Sequence, residues 1–188
     1  MIICGLVGGL HNSAKAAPAN PDEKLLFVFE LVRHGARGPF DDHKLDEFPV
    51  AEGQLTPEGM RQRYLLGAHN RKRYTEEYPL LSADGEYNPH EFYIQSTNVN
   101  RTITSGYSEL MGLYPLGKGT PLTTAQASII SGVASPPFKV REANKINKNL
   151  KLDALPGRPV QVPIFTYNDN NLNDEVSVQG CPFVEKTE

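Results

Sequence analysis

Cysteine is scarce in this chain of 188 residues, occurring only at Cys4 and Cys181, and neither belongs to a Cys-x-x-Cys pair. With no His-Glu-x-x-His and no clustered carboxylate ligands either, the usual zinc and calcium frameworks are excluded, and no metal or other cofactor is expected. An excess of one charge is also lacking. Nineteen Lys and Arg stand against twenty-two Asp and Glu, a formal net charge of −3, so no bulk field draws the chain to nucleic acid or to a membrane surface. Affinity for an anion has to be local. No apolar run reaches the ~20 residues that span a bilayer, and there is no internal repeat or coiled-coil heptad. What remains is ordinary globular composition, at a length that suits one core: a single domain or part of one.

The first residues carry a short apolar run, Ile2, Ile3, Leu6, Val7 and Leu10, followed by Ala14-Lys15-Ala16. That pattern reads as a secretory signal peptide over residues 1–16, although no basic residue precedes the run. Cys4 would leave with it. Cys181 would then either pair with a cysteine elsewhere or stay as a buried thiol.

Residues 24–32 are almost continuously apolar or β-favouring, as in a strand buried on both faces of a parallel sheet. The run stops at Arg33-His34-Gly35, where glycine and then Pro39 end the strand and leave polar residues at its carboxyl edge, the ligand edge of open α/β sheets. Thr56-Pro57-Glu58 then starts a helix with Thr56 as N-cap, an apolar stripe of Met60, Tyr64 and Ala68, and an end near Tyr74. Arg61, Arg63, Arg71, Lys72 and Arg73 on that helix read as a solvated basic face, and no nucleic-acid partner is expected. Residues 91–97 form a second predicted strand. A second helix follows from Asn98, its stripe being Val99, Ile103, Tyr107, Leu110 and Tyr114. Tyr64 and Tyr107 are assigned to core packing. Residues 115–158, rich in Gly, Pro, Ser, Thr, Lys and Asn, read as a long surface loop insertion, and residues 160–167 as a third strand. Strand, polar turn and helix in alternation indicate βαβ organisation.

Two junctions therefore end in arginine-bearing polar clusters: Arg33, His34 and Arg37 at the first, Arg101 at the second. Guanidinium forks match phosphate oxygens. Arg101 also falls in a first helical turn, where free N–H groups favour an anion. A neutral imidazole among them can attack phosphorus and form a phosphohistidine without a metal.

Arg-His-Gly-x-Arg-x-Pro after an apolar strand resembles the signature of the acid phosphatase branch of the histidine phosphatase superfamily. Similar segments are Leu55-Thr56-Pro57-Glu58-Gly59-Met60, Ser96-Thr97-Asn98-Val99-Asn100-Arg101-Thr102 and Cys181-Pro182. Residues 117–149 have no counterpart in that pattern. The resemblance implies a three-layer α/β sandwich of the phosphoglycerate mutase kind with a mainly parallel sheet, here incomplete. It implies a phosphate monoester substrate, His34 as nucleophile, and Arg33, Arg37 and Arg101 as phosphate-binding residues. It also implies a secreted or lysosomal location. The oligomeric state and the natural ester stay open.

The family pattern places a second histidine followed by aspartate late in the chain, to bind phosphate and protonate the leaving oxygen. Here His11, His34, His43, His69 and His90 are followed by Asn, Gly, Lys, Asn and Glu. His90-Glu91 precedes its strand and so sits at the wrong end. The expectation is an N-terminal portion of a longer phosphatase domain, with impaired turnover. The alternative is an inactive anion-binding paralogue or fragment, and a phosphotransferase or mutase of the same superfamily ranks below both. Asn100-Arg101-Thr102 is a formal glycosylation sequon, taken as unused because a glycan there would obstruct the site.

Overall fold

A computed structural model describes residues 2–4, 24–41, 46–128 and 132–166. In chain order the elements are β1 (Ile2–Cys4), β2 (Glu30–Val32), α1 (Pro57–Lys72), β3 (Ile94–Ser96), α2 (Asn100–Leu113), α3 (Thr124–Ala127), α4 (Ala143–Leu150) and β4 (Phe165–Thr166). The strands form one sheet in the order β2-β1-β3-β4. β1 runs antiparallel to both neighbours, with Ile2 opposite Val32 and Ser96, and β3 pairs with β4 in parallel. β2, β3 and β4 therefore share one direction, and the polar residues after β2 and β3 emerge at the same edge. The architecture is an incomplete α/β fold of helices against a small sheet in which three of the four strands share one direction but only the β3–β4 pairing is parallel.

α1 begins as expected, with Thr56 extended and its hydroxyl accepting from the Gly59 amide, and Pro57 in the first turn. Its orientation differs from the expected one. Met60 and Tyr64 face solvent, and the buried positions are Gly59, Arg63, Gly67 and Asn70. The cause is close packing on α2. A Cβ on Gly67 would strike the Glu109 carbonyl, and one on Gly112 would strike the Tyr64 carbonyl. Backbone meets backbone there, so bulky apolar side chains are pushed to the rim. Arg63, assigned to the solvated basic face, is instead buried. A five-residue π turn, Arg73–Glu77, carries the chain out of α1 and buries Tyr74.

α2 starts two residues later than expected, with Val99 at its cap. Leu110 and Leu113 of α2, with Tyr114 just past its end, join Tyr74, Phe92, Ile94 and Val162 in the core, where Tyr114 meets Phe92 edge to face at 5.9 Å. Tyr107 is exposed and, like Tyr64, is no core residue.

The expected strand over residues 24–32 shrinks to β2, and it is buried on one face only. Glu30 is buried, whereas Leu26 is 79% exposed and Leu31 52%. β2 lies at the sheet edge, and no helix among the described residues covers its outer face, so alternate side chains stay in solvent. The third strand is likewise short, β4 being the part of it that pairs, and Tyr167 lies outside the described residues. The 115–158 segment is not all loop. It contains α3, closed by a Thr123–Gln126 capping box, and α4.

Candidate active site

The first junction is pinned at almost every backbone group. Gly35 crosses Gly59 so closely that a Cβ on either would collide with the other segment. The Ala36 carbonyl accepts from the Thr56 amide at 2.9 Å and from its hydroxyl at 3.2 Å, while the Ala36 amide donates to Gln62 Oε1 at 3.0 Å. Further on, the Gly38 amide donates to the Gln54 carbonyl, the Gly53 amide to the Pro39 carbonyl, and Arg37 bridges Leu55. The loop after β2 is thus clamped against the approach to α1.

The second junction is joined to the first through Ser105. Its hydroxyl accepts from the Gly35 amide at 3.1 Å and donates to the Arg101 carbonyl at 2.7 Å. Thr102 steadies the same turn by donating to the Val99 carbonyl at 2.7 Å.

On this frame His34 is half-buried, and its Nδ1 donates to the Gly35 carbonyl at 2.7 Å. That bond selects the tautomer whose Nε2 carries the free lone pair. Burial holds the imidazole below its ordinary value, with the Arg101 and Arg33 charges acting the same way against the opposing Gly35 hydrogen bond. Arg33 is exposed, Arg37 and Arg101 half-buried.

Phe40 gathers the other two arginines. The Arg37 guanidinium lies 3.8 Å from the Phe40 ring centroid and that of Arg101 5.4 Å, one from each junction. The Arg101 Nε is buried without a hydrogen-bond partner among the described residues, as are those of Arg63 and Arg73. The four residues expected from the sequence thus fall at one edge of the sheet.

Sequence reasoning missed Phe40, Gln62 and Ser105, which act through geometry that no local pattern shows. It also missed a polar interior. Glu30, Arg63, Asn70 and Glu109 are all buried, Arg63 is ion-paired with Glu109, and Asn70 Nδ2 donates to Glu30 Oε2 at 2.9 Å. The available signal was a glutamate inside an apolar strand run and another inside an apolar helix stripe, since buried carboxylates need partners.

Among the described residues no three His, Cys, Asp or Glu side chains come together as a metal site, and no helix is long and apolar enough to cross a membrane. His69 and His90 are exposed. His11, His43 and Cys181-Pro182 lie outside the described residues.

The model of the histidine phosphatase superfamily (branch 2) matches residues 44–153, more than half of the chain. The chain belongs to that superfamily. The match begins beyond Pro39, so it is separate support from the Arg33–Pro39 motif. It also spans residues 117–149, which the motif pattern had left without a counterpart. Relatives include a lysosomal acid phosphatase of Xenopus laevis, 40% identical over 53% of this chain and 23% of its own length. A testicular acid phosphatase of Mus musculus is 40% identical over 56% of this chain and 26% of its own, and a prostatic acid phosphatase of Mus musculus 38% identical over 50% and 24%. The chain therefore spans about a quarter of the length of these relatives.

Proposed function

We propose that this chain carries the nucleophile and phosphate cradle of an acid phosphatase that hydrolyses phosphate monoesters through a phosphohistidine on His34. The observation that carries the reading is the imidazole fixed through Nδ1 with Nε2 left free, its protonation disfavoured by burial and by the Arg101 and Arg33 charges. Nε2 forms a bond to phosphorus as the ester P–O bond breaks, and the leaving oxygen takes up a proton from an acid. Water then attacks phosphorus, the N–P bond breaks, and phosphate departs. Arg33, Arg37 and Arg101 spread positive charge over the non-bridging oxygens throughout. The relatives' names support an acid phosphatase of lysosomal type. A secreted or lysosomal destination follows from the same reading, as does the place of this chain as the N-terminal portion of a longer domain. Residues 1–16, expected from the sequence as a signal peptide, instead supply β1 between β2 and β3, a strand that cleavage would remove. The 115–158 segment, expected to be an insertion, falls almost wholly within the match to the superfamily.

A second reading is anion binding without efficient turnover, favoured because no histidine of the sequence is followed by aspartate. One experiment tests both. The 188-residue chain and His34→Ala are assayed with p-nitrophenyl phosphate at acidic pH and quenched in base to trap phosphohistidine. Slow turnover, about two to four orders of magnitude below that of an enzyme with a positioned general acid, with a base-stable label lost in His34→Ala, supports the first reading. Phosphate binding without label supports the second. Equal hydrolysis by both proteins removes His34 as nucleophile.

A further inference from the structure

The polar interior behind the His34 loop combines one guanidinium with two carboxylates, drawn from three elements: Glu30 of β2, Arg63 and Asn70 of α1, and Glu109 of α2. It also reaches the cradle. Arg63, besides its ion pair with Glu109, donates from Nη1 to the Arg33 carbonyl at 3.4 Å, immediately before His34. Ser105, one helical turn before Glu109, holds the Gly35 amide and the Arg101 carbonyl. The Arg33 carbonyl therefore rests on this interior directly, and the Gly35 and Arg101 backbones are tied through Ser105 to the helix that carries Glu109.

A buried site tolerates matched charge far better than an odd one. Arg63 and Glu109 cancel, so a second ionised carboxylate would be left without a counter-charge. We propose that Glu30, Arg63, Asn70 and Glu109 form a positioning device for the phosphate cradle, holding Arg63 against the Arg33 carbonyl only while one of its two carboxylates carries a proton. The groups facing Glu30 are Glu109 from α2, Arg63 and Asn70 from α1, and Tyr74 from the turn that follows; across the ladder its backbone partner is Cys4 of β1. Burial, aided by repulsion from Glu109 and opposed by Arg63 and Asn70, pushes Glu30 up to about 7. Glu109 is also raised by burial, with Arg63 pulling it back. Glu109 has the Arg63 guanidinium as its ion-pair partner, whereas Glu30 has, among the described residues, only the Asn70 amide within hydrogen-bond distance. Glu30 is thus the carboxyl that keeps its proton on the acid side of neutrality. Once ionised it competes for Arg63, and the turn aiming His34 slackens.

The inference rests on the cradle reading, so two readouts separate them. Amide hydrogen exchange at Gly35 and Ala36 is compared between the native 188-residue chain and Glu30→Gln, each at pH 6 and pH 8. The two should match at pH 6, and at pH 8 the native chain should exchange about tenfold faster. In Asn70→Ala, which removes a bond favouring ionised Glu30, the loss should move to higher pH. A merely structural asparagine would not move that midpoint. Sulfate, whose charge is constant over this range, probes the cradle by calorimetry. Its affinity should fall several-fold more from pH 6 to pH 8 in the native chain than in Glu30→Gln, and should collapse in Arg101→Ala. Unchanged sulfate binding in Arg101→Ala would overturn the cradle reading, whereas the exchange data would still judge the device. Identical pH responses of the native chain and Glu30→Gln in exchange would overturn the device, whatever sulfate does.

Discussion

The two βα junctions and the 115–158 segment hold their backbones in different ways. At the junctions the chain leaves no slack: Gly35 lies on Gly59, Gly67 on Glu109 and Gly112 on Tyr64, and the charges enclosed between them are paired. The 115–158 segment is held at its neck, where the Gly117 and Gly119 amides reach the Gly157 and Arg158 carbonyls and the Leu122 amide reaches that of Leu152. Beyond the neck α4 buries nothing. It is entered and left through Glu142 and Lys151 at positive φ, 59° and 54°, conformations that cost a non-glycine residue free energy. Apolar content does not separate the two regions, since both have it. What separates them is whether a second layer lies within reach, and the proposed phosphate-binding residues occupy the region where it does.

The comparison breaks most sharply at the buried ion pair. Glu109→Leu removes the carboxylate paired with the Arg63 guanidinium and should cost about 3–5 kcal/mol in urea unfolding at pH 5, where Glu30 keeps its proton. Glu30 comes next, and its effect depends on pH. Its folded value, about 7, lies above the unfolded reference of 4.5, so its contribution is complete below 4.5 and is lost as pH rises through 7. The loss amounts to roughly 3 kcal/mol. Urea midpoints at pH 5 and pH 8 should therefore converge in Glu30→Gln relative to the native chain. At the cradle itself, Arg101→Ala removes charge-assisted bonds and should weaken phosphate binding by about 10- to 100-fold with little loss of stability.

Legibility from the sequence divides along the same line. The Thr56 cap, the order of strand, turn and helix, and the positions of Arg33, His34, Arg37 and Arg101 could be read, because each depends on residue type within one turn or one strand end. Which face of α1 turns inward could not. An apolar stripe of Met60 and Tyr64 argues for one face, and the Gly67–Gly112 approach overrides it by admitting backbone where side chains would not fit. The burial of Arg63 follows from that rotation and was hidden for the same reason. The run over residues 24–32 misled differently. Its composition describes a strand covered on both sides, while the described chain supplies helices to only one.

Two smaller effects sharpen the contrast. Phe40→Leu deletes one ring shared by Arg37 and Arg101 and should weaken phosphate binding about fivefold, in line with ~1 kcal/mol for exposed cation–π contacts. Phe40→Tyr should restore it, because the ring face is what the guanidiniums meet. Phe138 is the opposite case, an aromatic residue 70% exposed beside α4. It lines a cavity with Val140 and Ile146 that stays open to solvent, so little apolar surface is removed from water there. Phe138→Ser should move the urea midpoint by less than about 0.5 kcal/mol and leave phosphate binding unchanged. A loss above ~2 kcal/mol would mean that the 115–158 segment is packed as tightly as the junctions, and the contrast between slack and clamped backbone would fail.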